Sequence, residues 1–108
     1  MNYVRCINNQ GYEASLTAGM VYKVLPGGSD KTSLRVVDNE GEDYLYDASR
    51  FEPVEYSGPL PDSMENLTIR LDPVLKSIIH AEALAAQKSV SALLREWIDE
   101  RLDLPVGA

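Results

Sequence analysis

Apolar and polar residues alternate without interruption over Asn66–Leu71. Leu67, Ile69 and Leu71 fall on one face of a strand, and Asn66, Thr68 and Arg70 on the other. A period near 3.6 replaces the alternation directly afterwards. Asp72 followed by Pro73 supplies an N-cap acceptor and a first-turn proline, and so predicts the start of a first helix. Its apolar stripe is Leu75, Ile78, Ile79, Ala83 and Ala86, with Lys76, His80 and Glu82 mostly off it. The pattern breaks at Gln87 and Lys88. Ser89 then caps a second helix with the stripe Val90, Leu93, Leu94, Trp97, Ile98 and Leu102, which Pro105 and Gly107 are expected to end.

A lone strand cannot satisfy its own backbone N–H and C=O groups, so the alternating segment needs a partner. The nearest available one is the same segment of a second copy. Two such strands form an antiparallel ribbon whose leucine face lies on four helices. Leu67, Ile69, Leu71, Leu94, Trp97 and Ile98 are then the expected core of a homodimer. The other face of the ribbon stays polar, and its width suits the DNA major groove.

Strand, proline-started helix and serine-capped helix in this order resemble the ribbon-helix-helix family of DNA-binding proteins. The matching pieces are LTIRLD, DPVLKSIIHAEALAAQ and KSVSALLREWIDERL, with a basic-Ser-Val-Ser-x-Leu-Leu start to the second helix. The resemblance covers residues 66–104. It implies that Asn66, Thr68 and Arg70 face base edges, Arg70 toward guanine and Asn66 toward adenine. It also implies that Lys88, Ser89 and Val90 meet a phosphate, Ser89 and Val90 through helix N-terminal N–H groups. The chain departs from the family at Gln87, where a glycine is usual, and at Trp97, where a small residue is common.

Residues 1–55 carry the rhythm of short strands. YVRCIN, Met20–Leu25, SLRVVD and EDYLYD are four of them, and Asn39-Glu40-Gly41 marks the hairpin between the last two. Ala48-Ser49-Arg50 reads as a tight turn into FEPVEY, a last strand that Pro53 confines to a sheet edge. On this rhythm and on LTAGMVYKV and GEDYLYDASRF, the half resembles small SH3-like β-barrels. Tyr44 and Tyr46 share a strand face between Asp43 and Asp47, a possible acidic-aromatic groove for a basic or proline-rich partner. The alternative is that these rings fill the interior of a small barrel. Residues 56–65 hold Gly58, Pro59 and Pro61 without apolar period and read as a semi-extended linker. The expected fold is thus α+β, an SH3-like β-barrel joined to a ribbon-helix-helix dimerisation module.

Charge complicates this picture. The net charge of −7 argues against strong non-specific DNA binding, which lives on phosphate neutralisation. From Ser63 onward five basic residues (Arg70, Lys76, Lys88, Arg95, Arg101) face seven acidic ones, a net of −2 that leaves −5 in the first 62 residues. Arg70 and Lys88 nevertheless fall on the ribbon side, and a dimer doubles them. The one histidine, His80, and the one cysteine, Cys6, have no zinc spacing, and no catalytic constellation is present. No enzyme activity, metal or other cofactor is expected. With no apolar run of membrane length and no signal-peptide core, a cytoplasmic location is expected. Three functions remain. One is a sequence-specific transcriptional regulator. Another is an antitoxin, since family members often join a DNA-binding ribbon to a toxin-masking segment. The third is an interaction scaffold in which the acidic barrel binds a protein.

Overall fold

The computed structural model describes residues 3–104, Pro61 by its backbone alone. The chain divides into two compact units, the first ending at Glu55 and the second beginning at Tyr56. Both strands and helices are present, so the class is mixed α+β.

The first unit contains β1 (Tyr3–Cys6), β2 (Val21–Lys23), β3 (Ser33–Val37), β4 (Asp43–Asp47) and β5 (Phe51–Pro53), with a 3-10 turn at Ala48–Arg50. An antiparallel sheet has the order β2-β1-β5, with Val4 opposite both Tyr22 and Pro53. Pro53 therefore sits on an edge strand, where its missing N–H costs no ladder bond. β3 and β4 form a separate hairpin in which Leu34 faces Tyr46 and Val36 faces Tyr44. A bridge between Val24 and Val36, with Leu25 N–H donating to Arg35 O at 2.9 Å, joins the two sheets. Among the described residues no ladder joins β4 to β5, so the expected barrel is not closed.

Alternation explains most of the core. Val4 and Cys6 point inward from β1 while Arg5 points out, and they meet Tyr22, Val36, Tyr46 and Phe51. Leu16 is fully buried although it belongs to no strand. Its loop is fastened on three sides: Asn9 Nδ2 donates to Leu16 O at 2.9 Å, Thr17 N–H to Tyr22 Oη at 2.8 Å, and Asn39 N–H to Ser15 O at 2.9 Å. In the β3–β4 turn Gly41 has φ 76°, the left-handed conformation that side chains resist.

Asp38, at the same turn, is the buried acid of this unit. Its carboxylate accepts the Glu40 N–H at 2.9 Å and the Tyr46 hydroxyl at 2.9 Å. Burial of the Tyr46 ring, then its bond to the Asp38 carboxylate and that carboxylate's charge, push the phenol from its usual 10 up to about 12. Between these values the native chain keeps a proton that the unfolded chain releases. The contribution is whole below about pH 10 and is lost as pH rises to about 12, a loss of about 2–3 kcal/mol. Urea midpoints of the first unit should fall across this window, and Tyr46→Phe should flatten the fall.

The second unit holds a 3-10 turn at Pro61–Ser63, α1 (Pro73–Ala86) and α2 (Val90–Leu102). Asp72 caps α1 by accepting the Leu75 N–H at 2.9 Å, and Ser89 caps α2 by accepting the Ala92 N–H at 3.1 Å. α2 stops at Leu102, followed by Asp103 at φ 47°; Pro105 and Gly107, expected to end it, lie outside the described residues. α1 ends in a left-handed residue, Gln87, at φ 56° and ψ 42°, and the next N–H, of Lys88, returns to Ala83 O at 3.0 Å. This is the position where glycine is usual. Gln87→Gly is expected to stabilise the unit by about 0.5–1 kcal/mol, read as a raised denaturant midpoint.

Asn66–Leu71, expected as a strand, pairs with no described strand and is not one in the single chain. The reason is physical: a ladder needs a second strand, and the other elements of this unit are helices.

Candidate nucleic-acid interface

The segment between the 3-10 turn and α1 brings two features together. Among the described residues, the backbone N–H groups of Met64–Leu71 find no hydrogen-bond partner. The same segment exposes its large apolar side chains, Leu67 at 85%, Ile69 at 62% and Leu71 at 38%. The exposure continues onto the helices. Val74, Leu75, Ile78, Trp97, Ile98 and Leu102 are all exposed, Leu94 is half-buried, and among the described residues Ala83 and Leu93 are the apolar ones this unit buries. Contiguous apolar exposure on this scale is uncommon on a monomer.

A groove of about 380 Å³ runs beside this segment, lined by apolar Leu71, Ile79, Val90 and Leu94 and by basic Arg70, Lys76 and His80. Alternation alone places Arg70 opposite Ile69 and Leu71. In the single chain all three border the groove, because an unpaired segment has no ladder to hold its pleat. Asn66, Thr68 and Arg70 are each exposed.

The expected phosphate residues meet at the start of α2. Ser89 is the cap, and the first-turn N–H groups of this helix have no helical acceptor of their own. Val90 is half-buried. Lys88 is not free: its ammonium pairs with the carboxylate of Glu96, two turns along α2. Sequence reasoning missed Glu96, since a separation of eight residues matches no pair spacing within a helix.

The expected aromatic groove of the first unit needs correcting. Tyr44 is exposed at 53%, with its hydroxyl donating to Glu42 at 2.8 Å, but Tyr46 is 5% exposed and belongs to the core. Two exposed rings stand edge-on to Tyr46, Tyr12 at 5.3 Å and Tyr44 at 6.4 Å between centroids, and the Arg50 guanidinium lies 4.7 Å from the Tyr12 centroid. No periodic signal marks Tyr12, because it lies in a turn.

Among the described residues no three His, Cys, Asp or Glu side chains are grouped as metal ligands, and no helix is long and apolar enough to cross a membrane. No protein-family model, curated protein or solved structure matches the chain.

Proposed function

We propose that the chain is a homodimeric, sequence-specific DNA-binding regulator of the ribbon-helix-helix kind, working in the cytoplasm. The observation that carries the reading is Met64–Leu71, a segment whose N–H row has no protein partner among the described residues and whose leucine face is exposed beside it. One partner supplies both needs at once, the same segment of a second copy run antiparallel about a two-fold axis. The ladder satisfies the backbones, and Leu67, Ile69 and Leu71 of each strand gain Leu94, Trp97 and Ile98 to pack on. Asn66, Thr68 and Arg70 are then left on the outer face with hydrogen-bonding groups that suit base edges in the major groove. The capped start of α2 offers its N–H groups to a phosphate, and its Val90 borders the same groove as Arg70.

We read the first unit as SH3-like. In support are the order β2-β1-β5, the β3–β4 hairpin tied to β2 at Val24 and Val36, and the 3-10 turn leading into β5. Its acidity turns it away from DNA and toward protein. Exposed Tyr12 and Tyr44 favour a second reading, in which this unit holds a basic protein partner, a toxin among the options, while the second unit only dimerises.

Purified protein is expected to retard a duplex containing its operator, selected from a random pool, at low salt. Binding should fall steeply as salt rises, because each neutralised phosphate adds about 0.9 to the logarithmic slope. Absence of retardation at low salt, with an intact dimer, would leave the protein-binding reading in its place.

A further inference from the structure

The ion pair between Lys88 and Glu96 bears on how the proposed DNA face is used, and this inference rests on that reading. Lys88 stands before the first turn of α2. Glu96 lies seven residues after the cap Ser89 and so on nearly the same stripe of the helix. At about 1.5 Å per residue, Val90 to Glu96 is a climb of about 9 Å. To meet Glu96, the Lys88 stem has to run along the flank of α2 toward its C-terminal end. Ala92 stands between Ser89 and Glu96 on this stripe, and its methyl group leaves that path open. The ammonium is thereby held away from the helix start, where the free N–H groups point and where a phosphate would be bound. Both partners remain partly exposed, with 39% and 44% of their side chains accessible, so water can replace either one and the pair can open.

We propose that Glu96 is an internal competitor for the DNA phosphate: it holds Lys88 in a parked position, and binding of the duplex requires the lysine to swing back to the start of α2. Glu96 thus sets how much of the available charge the protein spends on any sequence. In a molecule of net charge −7 this limits non-specific binding further and raises the weight of base contacts in the total. Glu96 touches no DNA in this arrangement. It acts through Lys88.

The test is a double-mutant cycle on the full-length protein, with two 30-base-pair duplexes as probes, one carrying the selected operator and one scrambled. Glu96→Gln is expected to tighten binding to both by about threefold per subunit, about tenfold per dimer, the worth of an exposed ion pair. The salt slope should stay close to that of the wild type, because Lys88 meets the phosphate in both complexes and only the cost of releasing it changes. In the Lys88→Ala background the same Glu96→Gln change should do nothing to affinity. Equal tightening in that background would show a general effect of removing a negative charge and would overturn the parking role. Unchanged binding by Glu96→Gln, with the wild type binding well, overturns it too while leaving the DNA-binding reading intact. Failure of wild type and variants alike to bind either duplex overturns both. Glu100→Gln, on the same helix and without a lysine partner among the described residues, serves as the charge control, and helical circular dichroism checks that each variant is folded.

Discussion

Ile69→Asp is expected to abolish the folded dimer of the second unit. In the single chain this side chain is 62% exposed, so a carboxylate there would be harmless if the chain worked alone. In the proposed ribbon it lies between the strands and the helices. The substitution then forfeits about 1.5–3 kcal/mol of apolar burial and adds a desolvated charge costing several kcal/mol more, and the two-fold axis applies both terms twice. That exceeds the stability of a typical small domain. Sedimentation and far-ultraviolet circular dichroism at micromolar concentration should show a monomer with lost helix. A variant as folded and as associated as the wild type would remove the second copy from the leucine face.

Arg70→Ala carries the next largest effect, on recognition. A bidentate arginine–guanine contact is worth about 1–3 kcal/mol, and symmetry removes two of them, so operator affinity should fall by about 2–6 kcal/mol. The loss should be smaller on other sequences, which relaxes preference at that position. Lys88→Ala offers the contrast, a nearly uniform loss on all sequences with a flatter salt dependence. Neither change should disturb the dimer, since neither side chain is on the apolar stripe. An Arg70→Ala protein that selects the same operator with undiminished affinity would take base reading away from this ribbon.

Local chemistry made much of the architecture legible. Turn glycines bracket the short strands, and Asp72 and Ser89 announce the two helices that the structure caps with those same residues. Parity, however, decides which face a side chain takes and not how deep it goes. Tyr44 and Tyr46 share a face of β4, yet one is in solvent and the other in the core. In the sequence Asp38 is one of four acids crowded around the β3–β4 turn, with Glu40, Glu42 and Asp43. It is buried because the Glu40 N–H and the Tyr46 hydroxyl need an acceptor there, a demand visible only once the hairpin is folded. Leu16 had no periodic neighbours to reveal it. For the site, composition and spacing located the alternating segment and the start of α2, but the Lys88–Glu96 pair arises from a side-chain path that no helical period encodes.

The single thiol and the single indole of this chain fall in different units. Cys6 is sealed inside the first unit, so a thiol reagent can reach it only while that unit is open, and the labelling rate divided by the rate for a free cysteine is an opening constant. Trp97 is 39% exposed on the apolar face of α2, where docking of a second copy would take its ring out of water and shift its emission to the blue. The wild-type chain therefore carries two native reporters. Diluting one sample while following both would separate the integrity of one half from the association of the other, with no label or added residue.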